Sequence, residues 1–238
     1  MLSSARRAGF EKEERRVITV ALQGIRGGVG TTSVVAGLAL AARRQGARVL
    51  AVDLCPDNQL PLHFGRPHDE ACGWGLLADP ANTWRSAIHC WQPGLDLLAQ
   101  GGVTGPLSTE WLSAVEGYEL VLLDLPAGVT PVASTRLLTV VNADANAHTR
   151  LYRHSFRPHE QVVVTQFTSR RALQQDLLDL WMEGGIPLLT IRLHRDESMA
   201  EAMAAKLPVG DYAPDSLIAH ELDALARWCL SHDRDASC

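Results

Sequence analysis

VITVALQGIRGGVGTTSVVAGLALAARRQ, residues 17–45, is the stretch that decides the fold. Its first seven residues are β-branched and apolar on both faces, the composition of a central parallel strand. Glycines follow. Residues 32–45 then carry Ala and Leu at helical spacing and stop before Gly46, a residue suited to end a helix. Strand, glycine loop and helix in this order let backbone N–H groups and the positive end of a helix converge on a phosphate. The loop reads Arg26, Gly27, Gly28, Val29, Gly30, Thr31, Thr32, Ser33. The Thr32 hydroxyl stands where such loops direct a side chain to a magnesium ion bridging two phosphates, and Ser33 is a weaker candidate for that contact. The general pattern asks for glycine five residues before Gly30 and lysine just after it, where this chain has Ile25 and Thr31. Taken alone, the loop also fits a glycine-rich turn that binds nothing.

Outward from this unit, the apolar runs 48–52 and 120–123 end on Asp53 and Asp124. Both acids therefore stand at the carboxyl ends of predicted strands, the edge at which open parallel sheets bind ligands. Further strands are expected at 95–99, 138–142, 161–166 and 188–193, and helices at 107–115, 147–154, 170–183, 197–206 and 215–230. Alternating strands and helices predict an α/β fold with a doubly wound, mostly parallel sheet flanked by helices. With 238 residues, 46% hydrophobic and 21% charged, the chain can bury one such core. The expected organisation is a polar, mobile extension over 1–16, one nucleotide-binding domain over 17–231 and a tail over 232–238.

A net charge of −5 argues against chain-wide attraction to nucleic acid or anionic lipid. Nowhere do about 18 uninterrupted apolar residues occur, and residues 1–16 lack the apolar stretch of a signal peptide. Five cysteines without a CxxC pair suit a reducing, cytoplasmic compartment. Residues 215–235 set Asp215, Glu221, Asp223, Asp233 and Asp235 against Arg227 and Arg234, so a membrane-inserting terminal helix is not expected. His148, His154 and His159, interleaved with Arg150, Arg153 and Arg157, lack metal-ligand spacing and read as a solvated face, with docking of an acidic partner as the alternative. Arg43 and Arg44 are placed to serve the negative end of the first helix. Trp74, Trp84, Trp91 and Trp111 read as packing residues.

The loop resembles the deviant Walker A motif of the ParA/MinD family of P-loop NTPases, KGGxGKT, with Arg26 at the place of the lysine before the glycine pair. The resemblance implies ATP and Mg2+ as cofactors and an ATP-sandwiched homodimer, in which the Arg26 position reaches the phosphates held by the opposite subunit. Arginine can keep such a role through bidentate hydrogen bonding. Thr31 supplies no cation beside the β- and γ-phosphates. Val52-Asp53-Leu54-Cys55-Pro56 is similar to the family's DxDP segment, whose first acid supports magnesium and whose second helps activate water. Asp53 is retained, whereas Cys55 offers a mostly neutral thiol at pH 7. Asp57 could substitute for the second acid or cap the next turn. Asp124, Pro126 and Gly128 match the switch segment DxPxG, so Thr32, Asp53 and Asp124 are the implied magnesium residues, direct or through water.

Within that family, residues from 17 to about 230 resemble the BcsQ group of bacterial cellulose-biosynthesis ATPases. The residues that carry this resemblance are 23–32, 52–58, 141–146, 194–197 and 206–210. It implies a cytoplasmic component of the cellulose synthase and secretion machinery, recruited to the inner membrane or cell pole by partner proteins. With Thr31 and Cys55 in place, the expected behaviour is nucleotide-dependent dimerisation with slow or absent hydrolysis. The alternatives are a general ParA-like ATPase for cargo or DNA positioning, which the acidic balance disfavours, and a scaffold whose loop is empty. Where relatives place an adenine-reading asparagine, this chain has Thr165 and Gln166, so adenine or guanine selectivity stays open.

Overall fold

The computed structural model describes residues 17–67, 69–105, 107–129 and 136–231; the expected extension over 1–16 and the tail over 232–238, with Asp233, Arg234, Asp235 and Cys238, lie outside them. The described elements are β1 (Ile18–Gly24), α1 (Thr31–Arg44), β2 (Val49–Asp53), α2 (Pro80–Thr83), β3 (Ile88–Gln92), β4 (Leu95–Leu98), β5 (Leu120–Leu125) and β6 (Arg136–Asn142). They continue with α3 (Ala145–Tyr152), β7 (Glu160–Phe167), α4 (Ala172–Glu183), β8 (Leu188–His194), α5 (Glu197–Ala204), α6 (Val209–Tyr212) and α7 (Leu217–Ser231). The strands form one sheet in the order β3-β4-β2-β5-β1-β6-β7-β8. Pairing is parallel throughout except between β3 and β4. The chain order reverses around β1, so the loop after β1 opens at the topological switch point of the sheet.

Every residue of β2 and β5 is buried, which explains why those strands read as unbroken apolar runs. Alternation along β1 divides the core: Val20 and Leu22 pack with α1 and α7, while Ala21 faces the opposite layer. Gly37 lets α1 and α7 approach closely, since a Cβ there would stand 2.5 Å from a Leu222 methyl. Among the described residues the opposite layer has no long helix between β2 and β5. Its core is instead filled by Trp74, Trp84 and Trp111, with ring centroids 5.4 and 5.9 Å apart. Trp91 packs elsewhere, edge-on to Phe64. No helix among the described residues is long and apolar enough to cross a membrane.

The structure departs from the sequence reading at three places: the 107–115 helix, strand β3 and the histidines. The helix expected at 107–115 is a single 3-10 turn, Glu110–Ala114, because its apolar residues serve the tryptophan cluster rather than a helical stripe. Strand β3 went unrecognised because it is a half-buried edge strand with an exposed Cys90. Arg43 and Arg44 stand in the last turn of α1 as expected and in addition donate to Pro93 O and to Gly210 O and Asp211, tying α1 to distant loops. His148 and His154 are not merely solvated. Trp181 donates to His148 Nδ1 at 3.0 Å, and His154 Nε2 lies 2.6 Å from Oε1 of the buried Glu160.

Glu160 also accepts from the Thr139 hydroxyl at 2.5 Å and the Arg157 N–H at 3.0 Å, joining β6, β7 and the end of α3. Glu160→Ala leaves the buried Thr139 hydroxyl without this acceptor, unties His154 and the Arg157 N–H, and should cost about 1–3 kcal/mol. Urea denaturation should show a lower midpoint at an unchanged m-value.

Candidate functional site

β1 ends at Gly24, and the chain doubles back so tightly that a Cβ there would lie 2.5 Å from Arg26 O. Gly28 and Gly30 have φ of +77° and +88°, the left-handed region that favours glycine. Gly30 begins α1 without a capping side chain, and no acid stands in the first turn. The first N–H groups of the helix therefore point into the loop unshielded, with the positive end of the dipole behind them. The loop is tied from below: Ile25 N–H donates to Val140 O at 3.0 Å, and the buried Thr165 hydroxyl lies 2.8 Å from both Val29 O and Asn142 Oδ1. Thr165 is thus committed to holding the loop. Gln166 lines the neighbouring cavity beside it, at φ +51°.

Two cavities meet at this loop. One, about 340 Å3, lies between the glycines, Thr31, Thr32, Cys55, Asp124 and Pro126. The other, about 360 Å3, is bounded by Val29, Thr165, Gln166, the 193–197 segment and Met199. Gly30, Ser33 and Met203 border both. The pair suits an elongated ligand whose anionic end lies in the glycine cradle and whose flat, less polar end lies beyond it.

At the inner end of the first cavity, Asp53 and Asp124 are register neighbours on β2 and β5, both essentially without solvent exposure. Their fates differ. Asp53 accepts from Cys55 N–H at 2.8 Å through one oxygen and from Leu60 N–H at 3.0 Å through the other. Neither oxygen of Asp124 has a hydrogen-bond partner; the Thr32 hydroxyl faces it and favours its ionised form without completing a bond. Burial raises the proton affinity of both acids, and the neighbouring Asp124 charge raises that of Asp53 further. Burial, then the two carboxylates, push the Cys55 thiol up, so it stays protonated.

Ligand atoms of Asp53, Cys55 and Asp124 lie within 4.8 Å of one another. The orphaned Asp124 oxygens beside a hydroxyl fit a hard divalent cation with oxygen ligands; a protonated thiol does not contribute one. Magnesium there would be held by Asp124 and Thr32. Asp53, in the same cluster, also pins the loop after β2 through both oxygens, a difference from Asp124 that equal placement at two strand ends could not reveal.

Arg26 lines the first cavity but is drawn sideways: it donates to Asp144 Oδ2 at 2.8 Å and to Gly27 O at 3.0 Å. Asp144 also caps α3 through Ala147 N–H. Burial would raise its pKa, but that N–H and Arg26 hold it below the usual carboxylate range. The switch segment is held by Gln23, which donates to Pro126 O and Val129 O. Asn58 accepts from Gln100 and Gly101 N–H, fastening the 54–60 loop to the end of β4. His63, buried beside Ser33 with its Nε2 3.3 Å from the hydroxyl, has its pKa pushed down to about 4 by burial. Sequence reasoning missed Gln23, Asp144 and His63. Asp144, three residues before the buried Ala147, carries a helix-cap pattern that could have been read; the other two carry no local signal.

A family model described as "Cellulose biosynthesis protein BcsQ" matches residues 17–230. The chain belongs to the BcsQ family. BcsQ of Salmonella typhi is 37% identical, covering 89% of this chain and 94% of its own. BcsQ of Escherichia coli K12 is also 37% identical, over 88% and 92%. Among solved structures, the septum site-determining protein MinD of Pyrococcus horikoshii, complexed with Mg-ADP, is 22% identical over 92% of this chain and 98% of its own, with a TM-score of 0.67. That likeness establishes that this BcsQ-family chain has the ParA/MinD fold.

The raised acids give a signed pH effect. The native state keeps protons that the unfolded chain releases near pH 4, so without a cation native stability is lost as pH rises from there toward neutrality. Asp124→Asn removes one of these charges. Its melting temperature in chelator should exceed wild type at pH 8 by about 2–4 °C, corresponding to about 1 kcal/mol, with a smaller gap at pH 5.

Proposed function

We propose that residues 17–231 form one nucleotide-binding unit that takes Mg-ATP and works as an ATP-held homodimer within the cellulose synthase machinery, hydrolysing ATP slowly or not at all. The observation that carries this is the unshielded start of α1, with Thr32 turned toward the two unpartnered oxygens of Asp124. Gly27, Gly28, Val29, Gly30 and Thr31 offer backbone N–H groups to the β- and γ-phosphates. Thr32 and Asp124 hold Mg2+, which when bound neutralises phosphate charge, while Asp53 steadies the loop bearing Cys55. Gln166 faces the base. Pro126 and Gly128, tethered through Gln23, are placed to respond to the γ-phosphate.

Slow chemistry follows from two side chains. Thr31 brings no positive charge to the transferring phosphoryl group. Cys55, its proton held by burial and by neighbouring carboxylates, cannot accept one from water. Arg26 stays on Asp144 until a stronger anion, the phosphates of a second subunit's nucleotide, competes for its guanidinium. The BcsQ relatives' names support a place in cellulose biosynthesis; a cytoplasmic location, with partner proteins bringing the chain to the inner membrane or pole, is part of the same proposal.

The test is ATP binding, mass and turnover measured on one purified sample with and without Mg2+. Tight binding and a dimer with negligible turnover are expected; brisk turnover stimulated by DNA would instead favour a DNA-positioning ATPase. Adding the missing groups, Thr31→Lys with Cys55→Asp, should raise turnover at least about tenfold, a loss of about 1.4 kcal/mol from the barrier.

A further inference from the structure

We propose that His63 is a positioning residue for the nucleotide's α-phosphate: its imidazole fixes the Ser33 hydroxyl at the junction of the two cavities, so that Ser33 donates to that phosphate. The inference rests on the nucleotide reading above and adds a residue to it.

The order of groups in a nucleoside triphosphate locates the junction. The β- and γ-phosphates belong with the glycines, Thr32 and Asp124, and the base belongs in the cavity bounded by Gln166. What must pass between them is the α-phosphate with its sugar. Ser33 borders both cavities and is the hydroxyl residue common to them. Among the described residues its side chain has the His63 Nε2 as hydrogen-bond partner, at 3.3 Å.

His63 is well built for orienting that hydroxyl. It lies in the 3-10 turn Leu60–Phe64, of which Leu60 N–H is fixed by Asp53 and Phe64 packs on Trp91. The ring is 2% exposed, among the α1 side of the core and the floor of the phosphate cleft. A neutral imidazole has one N–H and one lone pair. With the proton on Nε2, His63 donates to Ser33 Oγ and leaves the hydroxyl's single hydrogen for another acceptor. With the proton on Nδ1, the Nε2 lone pair takes that hydrogen and Ser33 has nothing to offer an anion. A bound phosphate therefore selects the first tautomer. Because the ring carries no charge, it contributes direction rather than attraction, and its effect should be that of one hydrogen bond.

The experiment compares Mg-ATP affinity of wild type, Ser33→Ala, His63→Leu, His63→Gln and the Ser33→Ala/His63→Leu double variant by calorimetry. It adds the two diastereomers of ATP with sulfur replacing an α-phosphate oxygen. Leucine fills the imidazole's volume, so the fold is kept, and melting temperatures check it; glutamine restores an N–H at the Nε2 place. Ser33→Ala and His63→Leu should each weaken ATP binding by about 3–10-fold, the worth of one hydrogen bond. The double variant should be no weaker than Ser33→Ala, because His63 acts through Ser33. Wild type and His63→Gln should prefer one diastereomer, and both loss variants should prefer neither. Additive losses, a His63→Leu protein that keeps wild-type affinity and preference, or failure of His63→Gln to rescue would each overturn the inference while leaving the nucleotide reading intact. A wild type that binds no nucleotide would sink that reading and this inference together.

Discussion

Two carboxylates side by side in the core set the terms for this molecule. Asp53 and Asp124 are opposite one another on adjacent parallel strands, shielded from water and without a cationic side chain between them. Such a pair is costly unless each charge is answered or suppressed. Asp53 is answered by the backbone: its two oxygens order the chain from Cys55 to Leu60. Among the described residues Asp124 is answered only by the hydroxyl turned toward it. The destabilisation is tolerable because a cation arriving with an anionic ligand can reverse it, which makes binding and native stability the same free energy.

The glycine loop is tied to its surroundings at several points. Val29 is buried and its carbonyl is held by Thr165, Ile25 is hydrogen-bonded to β6, and Gly24 admits no side chain. A cradle fixed in this way avoids ordering its backbone when it binds. Around this cradle the chain is held on separate tethers: Arg26 on Asp144, the 126–129 segment on Gln23, the 54–60 loop on Asp53 and Asn58. Each tether consists of one hydrogen bond or a few, and α3 is connected to the loop through the same Asp144 that caps it.

Much of this was legible along the chain because it is local. The strand, loop and helix of residues 17–45 announce themselves by period and by glycine placement, and both acids are visible at the ends of apolar runs. What was illegible depends on distance in sequence. Asp53 and Asp124 look alike until the fold shows which backbone N–H groups surround one and not the other. The layer between β2 and β5 defeated pattern reading because three tryptophans far apart in sequence fill it, leaving residues 107–115 no helical stripe to satisfy. His154 looked solvent-facing because its partner, Glu160, is an acid that sequence alone would place outside. The tryptophans themselves were read correctly as packing, since their bulk leaves them few other uses.

The claim on which the account stands is that Asp124 is kept bare for a cation that comes with the nucleotide. Calorimetric titration of the wild-type protein with ATP, once in Mg2+ and once in chelator, tests it directly. The account predicts binding at least about tenfold tighter with Mg2+, a gain of about 1.4 kcal/mol, accompanied by release of protons to the buffer as the buried acids ionise. Equal affinity and equal proton balance in the two titrations would contradict it.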